Sequence, residues 1–207
     1  MAKLNSIADL RRVIPEPRPT TKVKILEALD EQSIDFLKRC PFALVSTTSP
    51  DGTIEVSPKG DEPGFIRVED SRTLLIPERV GNNLAFGLGN MIDNGRIGMI
   101  CLVPATGETL RLSGTAEVFD DPGLIASLSS LGKPALLATR VKIKHCYFHC
   151  ARSIVRAGLW KPETWPAAGR ISFGKIIAPR MGQGEELANQ IDTGVAGAYK
   201  ERLWVNS

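Results

Sequence analysis

A chain of 207 residues with 43% hydrophobic and 24% charged residues has ordinary globular composition, which excludes a disordered chain and allows a substantial core. Its formal net charge of +3 is too weak to imply a nucleic-acid partner without a concentrated basic face. Residues 1–20 lack the continuous apolar run a signal peptide needs, and no segment approaches about 20 uninterrupted apolar residues, so the expectation is a cytoplasmic protein with no membrane partner. Four cysteines, Cys40, Cys101, Cys146 and Cys150, are few for a disulfide scaffold and read most simply as buried thiols.

In chain order, the proline-rich lead-in Pro15–Thr20 is followed by a helical stretch to about Arg39, with Thr20 and Thr21 as candidate caps. Asp30 and Ser33 divide it into two shorter helices. Phe42–Thr48 reads as a strand, Ser49-Pro50-Asp51-Gly52 as a turn, and Thr53–Ser57 as the returning strand of a hairpin. Strands are expected at Phe65–Val68 and Thr73–Pro77, a short helix at Asn82–Met91, and strands at Arg96–Val103 and Glu108–Phe119, with Gly114 a candidate bulge. A helix from Asp121-Pro122 to Ser130, a closing strand over Arg140–Phe148, helical turns at Ala151–Leu159 and a C-terminal helix at Gly184–Arg202 complete the reading. Short strands at this density, joined by hairpin turns, argue for a mainly β protein with flanking helices, built on an antiparallel barrel rather than a doubly wound parallel sheet. The organisation expected is an N-terminal helical extension at 1–40, a barrel domain at 41–165, and a C-terminal extension at 166–207 packed on the same domain.

Several familiar signatures fail on inspection. Gly169 to Lys175 has the glycine and lysine spacing of a P-loop, but Ile176 stands where a magnesium-binding hydroxyl is required; no G-x-G-x-x-G or G-x-S-x-G occurs. His145 to Cys150 gathers both histidines and two cysteines, yet a strand sends alternate residues to opposite faces and one and a half helical turns cannot surround a tetrahedral ion. No metal is therefore expected. Pro122 to Pro162 contains no acidic residue but seven cations, Lys133, Arg140, Lys142, Lys144, Arg152, Arg156 and Lys161. This window reads either as a solvated basic face or as part of an anion site.

Residues 57–83 carry the most information. Ser57-Pro58-Lys59-Gly60 ending one strand, Pro77 ending another, and Arg79-Val80-Gly81-Asn82-Asn83 opening a helix would place two cations and unpartnered backbone amides at one end of a sheet. Gly81 permits close backbone approach, Asn82 or Asn83 suits a helix cap, and Arg111 projects from a further strand. Such a set suits a phosphorylated ligand, against the simpler alternative of surface salt bridges and turn chemistry.

Taken together, Phe42–Thr48, Asp51-Gly52, Ser57–Asp61, Ile76–Asn83 and Gly107–Gly114 resemble the pyridoxamine 5'-phosphate oxidase-like FMN-binding split-barrel superfamily, and more narrowly a bacterial branch of FMN-dependent proteins within it. The resemblance covers roughly residues 15 to 165. It implies a six-stranded antiparallel split β-barrel, a homodimer, and two FMN molecules at the subunit interface. It also implies that Val56, Ser57, Pro58 and Lys59 run beside the flavin ring and that Arg79, Gly81, Asn82 and Asn83 hold its phosphate. Arg156 and Trp160 are candidates to reach the flavin of the partner subunit, with packing in the subunit interface the alternative for Trp160. The substrate-binding pattern near the C-terminus of true pyridoxamine phosphate oxidases, two Arg-Leu pairs separated by six residues near a Trp, is not recognisable after Trp160. What the resemblance implies is an FMN-dependent oxidoreductase acting on an unidentified small molecule, with NAD(P)H a candidate donor, or else a flavin-binding carrier or sensor.

Overall fold

The computed structural model describes residues 3–203. The first two residues of the 1–40 segment and the last four of the 166–207 segment lie outside the described residues. Three helices, α1 (Ile7–Val13), α2 (Pro19–Lys22) and α3 (Glu31–Lys38), precede the sheet. α1 escaped the sequence reading although Ser6 and Asp9 form a reciprocal capping box at its start. α3 begins where Asp30 accepts from the Ser33 amide at 2.8 Å, so the acidic residue that interrupts the helical stretch is its cap. Leu29, Phe36, Leu37 and Cys40 are buried in the main core, which ties this part of the N-terminal segment to the barrel.

The strands are β1 (Phe42–Thr48), β2 (Ile54–Gly60), β3 (Arg67–Asp70), β4 (Thr73–Glu78), β5 (Arg96–Leu102), β6 (Thr109–Phe119) and β7 (Leu137–His149). They form one antiparallel sheet in the order β2-β1-β5-β6-β7-β4-β3. All seven strands read from the residues are present, one more than the six the resemblance implies. Alternation explains the central strands: Ala43, Val45 and Thr47 of β1, Ile97, Met99 and Cys101 of β5, and Leu110 and Leu112 of β6 point inward. β4 departs from alternation. Leu74 to Glu78 are all buried because Leu75 faces a second cluster with Leu128, Ala135 and Ala138, while Leu74 and Ile76 face the main core.

Gly114 is the bulge expected of it. The β6–β7 register shifts between Ser113 and Gly114, and a Cβ on Gly114 would lie 1.9 Å from the Lys142 carbonyl oxygen. Between the sheet's two margins lies the split. Among the described residues, β2 is paired only with β1, and beyond Leu75 β4 is paired only with β7, so each has an open edge where a missing proline N–H is tolerated. Pro58 and Pro77 occupy those edges.

Helix α4 (Phe86–Asn94) packs on β1, β2, β5 and β6, burying Asn90 and Met91. The Asn90 amide donates to Thr47 Oγ1 at 3.1 Å, which satisfies both polar groups within the barrel end. Helices α5 (Pro122–Ser127) and α6 (Arg152–Ala157) follow the long strands, and α7 (Phe173–Ile177) pairs with α8 (Glu185–Glu201). Gly174 lies so close to α8 that a Cβ there would sit 1.9 Å from the Ala188 carbonyl oxygen, and Asp192 of α8 receives the Gly174 amide at 2.9 Å. Among the described residues, no helix is long and apolar enough to cross a membrane.

Candidate functional site

A cavity of about 670 Å³ opens along the split. Its walls come from the end of β2, the end of β4, the loop at 79–85, the first turns of α4, and Leu136, Leu137 and Leu203. Of the residues singled out in the sequence, Val56, Ser57, Pro58, Lys59, Arg79, Gly81, Asn82 and Asn83 all line it. Arg111, Arg156 and Trp160 do not. Arg111 lies on β6 with its guanidinium 5.4 Å from the Tyr147 ring centre, Arg156 is exposed on α6, and the Trp160 indole N–H donates to the Thr106 carbonyl at 2.7 Å.

The two cations meet acidic partners across the split. Lys59 of β2 pairs with Glu78 of β4, and Arg79 just after β4 pairs through Nε with Asp61 just after β2 at 2.6 Å. The two clasps have opposite polarity, cation to anion and anion to cation. They join edges that no backbone ladder connects. Arg79 is largely spent here: its Nη2 also donates to the Leu128 carbonyl at 2.8 Å, and its side chain is 11% exposed against 1% for Asp61. Asp61 is further held by the Ser130 hydroxyl, 2.7 Å from Oδ1. The guanidinium that the sequence offers as a phosphate anchor is thus a structural clasp in this conformation.

The helix beside the site also starts later than the sequence suggests. α4 begins at Phe86, and its N-cap is Ala85 at φ +53°, so neither Asn82 nor Asn83 caps it. Asn82 Oδ1 instead accepts from the Leu84 amide at 3.1 Å, and Asn83 takes φ +59°. Two left-handed residues turn the chain before a helix can propagate. A left-handed residue followed by right-handed ones gathers successive N–H groups into a concavity, and the first-turn amides of α4 have no intrahelical acceptor.

Glu78 is the residue the sequence reading missed. Its side chain is 5% exposed, with Oε2 on Lys59 and Oε1 accepting from Thr139 Oγ1 at 2.8 Å. A signal existed in the opposite charges of Lys59/Asp61 and Glu78/Arg79 at the ends of two strands, which attract once those ends meet across the split.

The histidine–cysteine cluster at 145–150 behaves as alternate strand residues do. Cys146 is buried and donates to the Ala28 carbonyl, and burial raises its thiol above the ordinary value. Cys150 is exposed, correcting the expectation that all four thiols are buried. Cys40 and Cys101 are neighbours: the contact between the two thiols lowers the Cys40 value, while the same contact and burial raise that of Cys101. Among the described residues, no group of three or more His, Cys, Asp or Glu is arranged to hold a metal ion. The basic window is spread over β7, α6 and the loops that hold Lys133 and Lys161, and Arg140 within it is paired with Glu69.

Residues 29–150 match the family model described as pyridoxamine 5'-phosphate oxidase, and this span covers more than half the chain. The chain belongs to that family. The pyridoxamine 5'-phosphate oxidase match runs from Leu29 to Cys150, so it takes in α3 and the whole sheet and leaves α6, α7 and α8 outside. No curated protein matches. Among solved structures, HupZ of Group A Streptococcus is 17% identical, with 58% of this chain and 93% of that chain covered at a TM-score of 0.47. A putative pyridoxamine 5'-phosphate oxidase from Lactobacillus delbrueckii is 20% identical, with 59% and 95% covered at 0.45. A structure titled F420 reductase is 18% identical, with 58% and 98% covered at 0.42.

Proposed function

We propose that this chain is a flavoprotein that holds FMN in the cavity along the split and serves as an FMN-dependent oxidoreductase for a small molecule. One observation carries the reading: apolar walls, an ammonium group and a helix N-terminus converge on a single cavity of about 670 Å³, within the range of roughly 300–1,000 Å³ usual for small-ligand sites. The donor set fits the cofactor. Val56, Pro58, Pro77, Leu136 and Met91 offer apolar surface for a flat ring system, and the amides from Ala85 into α4 offer a cradle for a phosphate. Lys59 gives one N–H to Glu78 and has two more for a ring carbonyl or nitrogen. In this arrangement the phosphate is held chiefly by backbone N–H groups of Ala85 to Gly87, with Gly81 admitting close approach, and Arg79 supports the loop from behind.

FMN, when bound, supplies hydride or electron transfer, and the protein supplies orientation, charge and exclusion of water. Pyridoxamine phosphate oxidation is not the proposed reaction, since the family's substrate-binding pattern of two Arg-Leu pairs six residues apart is not recognisable after Trp160. A homodimer belongs to the same proposal. Phe42, Leu44, Ile54 and Val56 on β1 and β2, with Leu84, Phe86 and Ile92 around α4, leave apolar side chains exposed beside the cavity, as a surface covered by a second copy would. Arg156 and Trp160, which lie away from the cavity of their own chain, would then serve the partner's.

Fluorescence titration with FMN and riboflavin tests the ligand. FMN is expected to bind at least about tenfold tighter, or about 1.4 kcal/mol. Equal affinities would remove the phosphate cradle, and binding of neither would remove the flavin reading. Anaerobic mixing of the loaded protein with NADH or NADPH then separates a pyridine-nucleotide-linked reductase, whose flavin bleaches, from a carrier or sensor, whose flavin does not.

A further inference from the structure

The buried acid on the cavity wall is held by more than the clasp with Lys59. Both oxygens of Glu78 are fixed, one by Lys59 and the other by Thr139, itself fully buried and 3.9 Å from Met91 Sδ. The carboxylate therefore cannot swing away. It lies beside Lys59, whose side chain is 21% exposed and lines the same cavity. A buried ion pair is an expensive way to close a seam, because apolar side chains of similar volume often do so with equal or greater stability. A pair of fixed charges on the wall of a ligand cavity acts on the ligand as well, since partial burial lowers the effective dielectric below that of water.

We infer that Glu78 is a positioning residue that sets the reduction potential of the flavin in this cavity: it holds the Lys59 ammonium at the wall and cancels part of its field. The inference rests on the flavin reading above. Two-electron reduction adds two electrons and takes up one proton or more, so the ring gains negative charge when fewer than two protons follow. A cation at the wall favours that state and raises the potential, and an anion opposes it. Lys59 and Glu78 therefore pull in opposite directions.

The test is equilibrium reduction of the loaded protein by dithionite in the presence of a redox dye, read from the flavin absorbance. Glu78→Gln is nearly isosteric: its amide oxygen can accept from Lys59 and its NH₂ can donate to the Thr139 hydroxyl, so the substitution removes charge and little else. Its potential should rise by about 30 mV or more, tenfold in the two-electron equilibrium constant. Lys59→Gln should lower the potential by a similar amount, and Lys59→Arg should restore it. The double variant Lys59→Gln/Glu78→Gln should return close to the wild type. Potentials that stay at the wild-type value in all variants, while the melting temperatures fall, would make the pair purely structural and overturn the inference. Shifts of Glu78→Gln and Lys59→Gln in the same direction would overturn it too. If Glu78→Gln does not fold, Lys59→Gln against Lys59→Arg still decides the sign. A wild-type protein that takes up no flavin would instead overturn the flavin reading itself, and this inference with it.

Discussion

Replacing Arg79 by alanine separates a clasp from a phosphate anchor. The guanidinium is 11% exposed, its Nε lies 2.6 Å from an Asp61 carboxylate that is 1% exposed, and its Nη2 lies 2.8 Å from the Leu128 carbonyl. The substitution therefore deprives a buried anion of this cation and a carbonyl of its donor. Breaking a buried pair from one side costs about 3–5 kcal/mol, which for a chain of this size is a fall of about 6–20 °C in melting temperature. Arg79→Lys should lie between, because the charge survives and the fork geometry does not. Thermal unfolding followed by circular dichroism, without added flavin, is the assay, and a double-mutant cycle with Asp61→Asn should return a coupling of about 2–3 kcal/mol. A melting temperature within about 2 °C of wild type, or under 1 kcal/mol, accompanied by a large loss of FMN affinity, would refute the reasoning and return Arg79 to the ligand.

Other perturbations report on the frame around the site. Gly114→Ala forces a methyl group onto the Lys142 carbonyl at the β6–β7 bulge, and should cost about 3 kcal/mol in chemical denaturation, the upper end of ordinary overpacking. Gly174→Ala collides with the Ala188 backbone in the same way, and should raise amide exchange in α7 and α8 while leaving the sheet protected. Asp30 has its carboxyl held below the ordinary range, first by the Ser33 side chain and then by backbone amides, against some opposition from burial. A depressed native value means the stabilisation is present above about pH 4 and fades as pH falls below it. The difference in stability between wild type and Asp30→Ala, about 1 kcal/mol at neutral pH, should therefore close on acidification, read from their melting temperatures.

The strands are legible because alternation and turn residues act locally: the sequence delimits Phe42–Thr48 to the residue, and Gly114 within a strand pattern signals the bulge at which the β6–β7 register shifts. The cavity wall was legible for a similar reason, since Ser57 to Lys59 and Arg79 to Asn83 fall at the ends of two strands. The charges were harder. Lys59 and Arg79 read as free cations because their partners lie on the opposite margin of the split, and only closure of the barrel brings Glu78 and Asp61 to them. Asn82 read as a helix start because asparagine favours caps, but the left-handed Asn83 and Ala85 delay the helix to Phe86. α7 was missed because five residues carry little helical signal, and the helix is held instead by Asp192 and by the close approach of Gly174 to α8. Arg156 and Trp160 came from the resemblance and Arg111 from its place on a strand near the cations, and the single chain brings none of the three to the cavity.

The central claim is that the cavity along the split holds FMN. The most direct measurement is to record the visible absorbance of the purified protein after incubation with FMN and gel filtration, then denature it and weigh the released chromophore by mass spectrometry. The account predicts a yellow protein releasing FMN at close to one per chain. A colourless protein, or a chromophore of different mass retained in preference to FMN, would contradict it.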